Sequence, residues 1–577
     1  MQINQCTFAP KFTKKYIKMK TTTKGKSLIV LVCIFACSFS ILANERISFT
    51  GQAIQDMELR IAATYGKEFT VDWGDDSDIE TKTGNGEYFL IMTHAYADAD
   101  DYTVTITGTT EDCLFIWLDC HENQITDLDL SATTALEWLD CSCNRLSALD
   151  LSVNVKLWAV YCYQNQLTAI DLSTNTALWF FCCFSNQLTV LDLSANTILN
   201  GVKCDDNQLT TLILNANTEL KELYCVNNQL TVLDLSANTK LENLECDNNQ
   251  LTVLDLSMHT KLWNVYCSYN QLTELHIASN WLQFLYCPYN QITDLVWSTK
   301  AELFGLNCSG NQLTALDISA NTDLMYLYCD SNQLTDLDIS ANKGLQSLSC
   351  ASNQLTNLDI SANKELGLFI CNDNQLTTLD ISVNKELYNI RCFNNHLQLS
   401  DLYNASEIIN SPSYKFLGTQ ILVYQVAVEN PIDFSAQKEF SGIPTVFTIK
   451  KDGLPAPQDT YAITDGIITF NNIGNYTVTM TNSAIVSHPD YPAEVIAEIK
   501  VGSENIISAT EEYIRTYPNP TNGQLIIDNG ELTMDNVEMF DLLGKCVFQL
   551  STLNSQLSTL NSQLKLRFLI CPLVCTS

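Results

Sequence analysis

Cysteines are the residues of this chain whose number and spacing first suggest chemistry. The 577-residue sequence contains 23 of them. Fourteen form one column: they recur every 21 residues from Cys120 to Cys267, once after 20 residues at Cys287, and again every 21 residues to Cys392. Thiols at a regular spacing could form disulfides, hold a metal ion or fill a hydrophobic core.

The pattern favours the core. Each column cysteine occupies an inward position that suits leucine, and a buried free thiol behaves as a small apolar side chain. Equivalent residues on stacked coils would lie about 4.8 Å apart with parallel side chains, beyond the roughly 3.5–4.5 Å between the Cβ atoms of an unstrained disulfide. Zinc sites need a closed set of paired ligands, which Cys141 and Cys143 do not complete. Scattered disulfides and metal ligation remain the alternatives.

An asparagine follows every column cysteine after three residues, from Asn123 to Asn395. The representative unit 230–250 reads LTVLDLSANTKLENLECDNNQ, two halves of the form LxxLxLxxN with cysteine as the last apolar residue of the second. Burying about six side chains contributes roughly 10–18 kcal/mol, whereas ordering 21 backbones costs on the order of 20–40 kcal/mol. Such a unit must therefore stack on its neighbours, and the asparagine is predicted to satisfy backbone groups at the turn of each coil.

The segment LxxLxCxxNQL resembles a leucine-rich repeat of the short bacterial surface type. The resemblance covers residues 113–397, about half of the chain. It implies a curved solenoid with a stack of parallel strands on one face. About 14 coils with a 21-residue repeat would give a stack on the order of 65 Å long.

Two columns of aromatic residues accompany the cysteines. The residue before the cysteine is predicted to face outward, and this position supplies the candidate binding residues Tyr161, Tyr224, Tyr266, Tyr286 and Tyr328. A second column, four positions before the cysteine, contains Trp158, Trp179, Trp263, Phe304 and Tyr388. Exposed rings on a concave scaffold suit a protein or sugar partner. Alternatively, the rings stack from rung to rung and stabilise the sheet, the interpretation favoured for the second column and left open for the first.

The other half of the repeat carries a column of aspartates. Its members are Asp129, Asp150, Asp171, Asp192, Asp234, Asp255, Asp317, Asp338, Asp359 and Asp380. Carboxylates at this spacing could bind calcium, but the glycine-rich nonapeptide of calcium-loaded solenoids is missing. An aspartate before Leu-Ser or Ile-Ser more simply bonds to the adjacent turn. We therefore expect no metal site and no cofactor, with calcium as the minor alternative.

The net charge limits the possible partners, and the first residues indicate where the protein is located. Lys plus Arg number 31 against 65 Asp plus Glu, a formal net charge of −34, which disfavours binding to nucleic acid or anionic lipid. Residues 1–43 read as a signal peptide: lysines are followed by an apolar run from Leu28 to Leu42 that is too short to span a membrane comfortably. Met19 is an alternative start, and Cys37 an alternative lipid-attachment site. No later stretch predicts a transmembrane span.

Residues 44–112 resemble the PKD-type immunoglobulin-like domain. The resemblance rests on three blocks, Trp73-Gly74-Asp75, His94-x-Tyr96 and Tyr102-x-Val104. Such a module could cap the apolar end of the solenoid. Residues 398–503 are predicted to contain a linker and a second immunoglobulin-like β domain. The predicted fold class is therefore mainly β, a leucine-rich-repeat solenoid flanked by immunoglobulin-like β-sandwich domains.

Residues 504–548 resemble part of the C-terminal sorting domain of the type IX secretion pathway of Bacteroidetes. The resemblance rests on YPNP at 517–520 and FDLLGK at 540–545. It implies export by the type IX secretion machinery and attachment at the cell surface. The segment 549–577 then departs from the family pattern with two copies of STLNSQL. We interpret it as an aberrant tail and expect impaired sorting.

The six histidines lie in no catalytic signature, so we do not expect an enzyme. The leading hypothesis is a cell-surface or secreted, adhesin-like binding protein whose solenoid face engages a protein or glycan. The alternative is a structural component of the cell envelope without a dedicated ligand. The identity of the ligand does not follow from the sequence.

Overall fold

The computed structural model describes residues 44–52, 57–97, 100–298, 301–409 and 411–502, together with the backbone of five strands between residues 515 and 567. The predicted signal peptide lies outside the described residues.

The coils begin directly after a small N-terminal module. The strands of this module are β1 (Arg46–Gln52), β2 (Met57–Ala63), β3 (Glu68–Asp72), β4 (Glu80–Thr83), β5 (Leu90–His94) and β6 (Asp101–Gly108). The strands of the coils are β7 (Phe115–Asp119), β8 (Ile125–Asp129), β9 (Trp138–Asp140), β10 (Ala159–Tyr161), β11 (Phe180–Cys182), β12 (Val190–Asp192), β13 (Gly201–Lys203), β14 (Thr211–Ile213), β15 (Glu222–Tyr224), β16 (Asn243–Glu245), β17 (Asn264–Tyr266), β18 (Glu274–Ile277), β19 (Phe284–Tyr286), β20 (Asp294–Trp297), β21 (Gly305–Asn307), β22 (Tyr326–Tyr328), β23 (Ser347–Ser349), β24 (Leu368–Ile370) and β25 (Asn389–Arg391).

One strand of each coil joins a continuous parallel sheet, which we call the ladder sheet. Its fourteen rungs in the described chain, numbered 1 to 14, are β7, β9, β10, β11, β13, β15, β16, β17, β19, β21, β22, β23, β24 and β25. Each rung pairs with the next in register, as Leu223 with Leu244 and Leu244 with Val265. In seven of these fourteen rungs the central residue is buried and the two flanking residues are half-buried on the outer side, the ladder face.

The column cysteines come directly after the rungs and lie in the core. All fourteen are buried and free, which confirms the prediction of core thiols. Burial raises the pKa of each thiol, Cys246 and Cys267 for example, so they stay protonated at neutral pH.

The asparagine column joins neighbouring coils through its side chains, as predicted. The Nδ2 of Asn249 donates to the carbonyl oxygen of Cys225 in the preceding coil (2.9 Å) and to that of Cys246 in its own coil (3.2 Å). Its Oδ1 accepts a hydrogen bond from the backbone nitrogen of Leu230 (3.0 Å). The residue before this asparagine has a positive φ, 53° at Asn248, which completes the tight turn.

The opposite side of the coils contains little regular strand. In the described chain its pairings are β12 with β14, β18 with β20, an isolated bridge between Leu256 and Ile277, and β8 with β1 of the N-terminal module. Side chains, rather than a continuous backbone ladder, therefore hold this side together.

The N-terminal module covers the first coil on both sides. β2 pairs with rung 1 and extends the ladder sheet, and β1 pairs with β8. The first column asparagine, Asn123, donates from Nδ2 to the carbonyl oxygen of Glu58 (2.8 Å). The buried carboxylate of Glu45 accepts from the backbone nitrogens of Phe115 (2.6 Å) and Ala135 (3.0 Å). These bonds satisfy backbone groups that would otherwise end the stack unpaired.

The last coil is capped by a glutamine that replaces the next asparagine. Gln420 donates from Nε2 to the carbonyl oxygens of Cys392 (3.0 Å) and Leu417 (2.9 Å), and its Oε1 accepts from the backbone nitrogen of Asn395 (3.1 Å). The elements after the coils begin with α1 (Leu399–Ile408), two short 3-10 turns (Pro412–Tyr414 and Ser435–Gln437) and β26 (Lys415–Phe416), which pairs with rung 14.

The remaining strands form small sheets. They are β27 (Thr419–Ala427), β28 (Pro431–Asp433), β29 (Glu439–Phe440), β30 (Ile443–Pro444), β31 (Val446–Lys451), β32 (Leu454–Pro455), β33 (Tyr461–Thr464), β34 (Ile467–Phe470), β35 (Gly474–Thr481), β36 (Glu494–Gly502), β37 (Arg515–Asn519), β38 (Gln524–Asp528), β39 (Asn536–Phe540), β40 (Cys546–Ser551) and β41 (Gln563–Arg567). The largest has the order β27-β36-β35-β31-β32. Among the described residues, no helix has the length and apolar character of a membrane span.

Candidate functional site

The five candidate tyrosines end their rungs and are half-buried on the ladder face. Three of them, Tyr266, Tyr286 and Tyr328, line a groove of about 490 Å³, the first groove. The other residues that line it are Val226, Asp247, Asn248, Ser268, Tyr269, Pro288 and Asn307.

Rung 10 carries a small residue, Gly305, next to the rings at the edge of this groove. Gly305 and Asn307 occupy the two outward positions between the rungs of Tyr286 and Tyr328. A Cβ atom on Gly305 would lie 2.8 Å from Cδ1 of Phe284 and 3.1 Å from the hydroxyl oxygen of Tyr286. Glycine therefore lets these rings lean over rung 10, and a larger side chain would displace them.

A second groove, of about 670 Å³, adjoins the first and shares Tyr328 with it. Its lining is Tyr326, Tyr328, Gln346, Ser347, Glu365, Gly367, Leu368, Glu386 and Tyr388. The hydroxyl of Tyr328 donates to Oγ of Ser347 (3.3 Å). Gly367 makes room for a ring here too, because a Cβ atom there would lie 2.7 Å from Cε1 of Tyr388. Tyr328 is thus the wall between two aromatic grooves.

The other two candidate tyrosines lie elsewhere on the ladder face. Tyr161 packs between Trp138 and Phe180, with ring centroids 5.6 and 5.4 Å away. Nζ of Lys203 lies 4.8 Å from the ring centroid of Tyr224. Burial raises the pKa of Tyr161 and of Tyr224 to about 12. Neither ring lines the first or the second groove, so the structure gathers three of the five candidates there and separates two.

Rings of the tyrosine column also contact one another between rungs, as in the alternative interpretation of this column. Tyr266 and Tyr286 lie 5.0 Å apart between centroids. One residue pair that the sequence reasoning missed, Tyr269 and Tyr289, stacks at 4.6 Å beside the first groove, which Tyr269 lines. The 20-residue spacing of these two positions in the sequence was the available signal.

The second aromatic column is largely exposed. Trp158, Trp179, Trp263 and Tyr388 are exposed and Phe304 is half-buried. Of this column only Tyr388 lines one of the two grooves.

Carboxylates are the charged groups of both grooves. Asp247 lines the first, where its Oδ1 accepts from the backbone nitrogen of Ser268 (2.6 Å), and burial raises its pKa. Glu365 and Glu386 line the second and are exposed. No lysine or arginine is among the described residues that line either groove. The grooves therefore combine aromatic faces with uncompensated negative charge.

The aspartate column closes turns on the opposite side of the coils. In all ten members Oδ1 accepts from the backbone nitrogen of the serine two residues later, at 2.8–3.0 Å. These bonds lower the pKa of the carboxyls, Asp234 and Asp338 among them. The turn-closing role predicted for the column is confirmed.

A cluster that the sequence reasoning did not group lies at the N-terminal end of the ladder face. Ligand atoms of Asp119, His121 and Asp140 lie within 4.8 Å of one another. Nδ1 of His121 is 2.5 Å from Oδ1 of Asp119, and Nη1 of Arg60 is 3.6 Å from Oδ2. Asp119 and Asp140 share one column position, so a 21-residue alignment would have paired them. Because a guanidinium and an imidazole already contact Asp119, we describe the cluster as an ion-pair network.

A known protein family matches the C-terminal region of the chain. Residues 515–566 match the family described as the secretion system C-terminal sorting domain. The match supports the type IX sorting-domain prediction and implies export to the surface or the extracellular space. It extends beyond residue 548 and through both STLNSQL copies, and β38 pairs with β41 at the end of the second copy.

Solved structures resemble the coils. The functional domain of InlJ from Listeria monocytogenes, which includes a cysteine ladder, is 28% identical, with a TM-score of 0.54 over 67% of this chain and 90% of that one. The fold is a leucine-rich-repeat solenoid. A leucine-rich-repeat protein from Leptospira interrogans is 23% identical, with a TM-score of 0.45 over 50% of this chain and 80% of that one. No curated protein matches the chain.

Proposed function

We propose that this chain is a binding protein, displayed on the cell surface or secreted, that engages a protein or glycan partner with its ladder face. The observation that carries the proposal is the pair of adjoining grooves on either side of Tyr328. Aromatic rings offer a large, rigid contact area at low entropic cost, and the polar groups around them supply hydrogen bonds. The sorting domain at 515–566 supports exposure of this face to partners outside the cell.

The rest of the chain serves display in this proposal. Residues 1–43 act as a signal peptide, and the type IX secretion machinery of a Bacteroidetes cell exports the chain. The PKD-like module at 44–112 and the immunoglobulin-like domain at 398–503 flank the solenoid. The protein is not an enzyme and needs no cofactor. Its net charge of −34 makes nucleic acid an unfavourable partner.

A second candidate function is a structural component of the cell envelope without a dedicated ligand. The packing of the Tyr161 ring between those of Trp138 and Phe180 favours it, because these rings already contact one another.

One experiment separates the two functions. The full chain and its Tyr266→Ala/Tyr286→Ala variant are tested on a glycan array, a host-protein array and host cells. The matched control is Tyr65→Ala/Tyr414→Ala, which removes two exposed tyrosines that line neither groove. Loss of binding in the first variant alone, with urea unfolding unchanged or modestly shifted, supports the binding function. Unchanged binding together with lower stability would favour the structural one.

A further inference from the structure

Within the proposed function, on which this inference rests, we propose that the partner is an extended, basic segment of a protein, whose lysine or arginine side chains enter the two grooves. The carboxylates provide the first argument. Asp247 in the first groove and Glu365 and Glu386 in the second form no ion pair among the described residues. A cationic side chain in each groove would supply the missing counter-charge.

The aromatic rings provide the second argument. An ammonium or guanidinium over a ring face is a favourable contact. The solenoid already uses it twice on this face: Nζ of Lys203 lies 4.8 Å from the ring centroid of Tyr224, and Cζ of Arg391 lies 4.8 Å from that of Phe416. In both pairs the cation and the ring are register partners on adjacent strands. Among the described residues, no cation lies over the groove tyrosines.

The length of the grooves provides the third argument. Their carboxylates are spread from the turn after rung 7, at Asp247, to the start of rung 14, near Glu386. Seven rung spacings of about 4.8 Å amount to roughly 34 Å, which an extended peptide at about 3.3 Å per residue covers with about ten residues. A neutral glycan would leave the three carboxylates without counter-charge, so the charges favour a basic peptide.

The test measures the binding of fluorescent ten-residue peptides to the full chain by anisotropy. The probe alternates Arg with Ser; control peptides replace Arg with Gln or with Glu. We expect the Arg peptide to bind, more weakly as salt is added, and the other two not to bind. The variant Asp247→Asn/Glu365→Gln/Glu386→Gln is expected to bind the Arg peptide at least tenfold more weakly.

A matched variant controls for net charge. Asp234→Asn/Asp338→Asn/Asp359→Asn removes the same number of charges from the opposite side of the coils and keeps the oxygen that closes each turn. We expect its affinity for the Arg peptide to change less than twofold. Equal loss in both triple variants would show that net charge rather than the grooves attracts the peptide, which overturns the inference.

The inference and the proposed function fail in different ways. If an oligosaccharide binds in a manner that needs Tyr266 and Tyr286 while the Arg peptide does not bind, the basic partner is wrong and the binding function stands. If no probe, array or cell binds in a manner that needs the two tyrosines, the binding function itself is wrong.

Discussion

The two sides of each coil repeat in different ways. On the ladder face it is the backbone that repeats, because each rung pairs with the next in register. The outward side chains there differ from rung to rung, as Glu222 and Asn243 do. On the opposite side it is the side chains that repeat: Oδ1 of Asp234 accepts from the nitrogen of Ser236 (3.0 Å), and Asn238 donates to the carbonyl oxygen of Leu214 (3.1 Å). Because backbone pairing and buried asparagines hold the rungs together, the outward side chains of the ladder face are free to vary and to contact a ligand.

The carboxylates of the two sides show the same difference. Turn hydrogen bonds lower the pKa of Asp234, so its ionised form is stabilised by the fold. Burial raises the pKa of Asp247, and of Asp205 and Glu245 near it, so their ionised forms are held against a desolvation penalty. Groups kept at a cost in stability are characteristic of functional sites.

The largest effect is expected from asparagines that bridge neighbouring coils, Asn249 on the ladder side and Asn238 on the opposite side. Asn249→Ala removes donors and an acceptor that bridge neighbouring coils on the ladder side, and it should lower the free energy of unfolding by about 3 kcal/mol or more. Asn238→Ala should cost less, about 1–2 kcal/mol, because Oδ1 of Asn238 has no hydrogen-bond partner to lose. Urea unfolding of the full chain measures both. A larger loss for Asn238→Ala would contradict the view that the ladder side carries the fold.

Smaller effects are expected from single carboxylates, and the two sides of the coils should differ in the direction in which the urea midpoint shifts. Asp247→Asn should raise the urea midpoint at pH 7, because the amide keeps the bond to Ser268 without the buried charge. Asp234→Ala should lower it, because the turn loses its acceptor. Shifts in the same direction would remove the distinction between the two kinds of carboxylate.

The smallest effect is the pH dependence of stability at the same two positions, measured with the Asp247→Asn and Asp234→Asn variants. The folded pKa of Asp247 is raised, so the deficit of the wild type relative to Asp247→Asn is full at pH 7 and disappears as pH falls through that pKa, above about pH 4. The folded pKa of Asp234 is lowered, so the advantage of the wild type over Asp234→Asn persists to about pH 4 and is lost below it. Urea midpoints between pH 3 and pH 7 test both. Loss of the two differences in the same pH window would refute the assignment.

Much of the fold was predictable because it depends on residues within a single repeat. The thiol core, the asparagine bridges and the turn-closing aspartates each depend on spacings inside 21 residues. The grooves were not predictable in this way, because they depend on side chains brought together from several rungs. The contact of Tyr224 with Lys203 likewise joins residues of neighbouring coils. The cap by Gln420 could not be predicted either, because it depends on the path of the chain after the last coil.

The most direct test of the ladder face as the binding surface is photo-crosslinking of the full chain to the Arg–Ser peptide. Benzoylphenylalanine is placed at Tyr286, in the first groove, or at Val232, an exposed residue on the aspartate side of its coil. Mass spectrometry then measures the yield of peptide adduct. The ladder-face account predicts an adduct at position 286 that competes with unlabelled peptide, and little or none at 232. Equal yields, or a higher yield at 232, would contradict it.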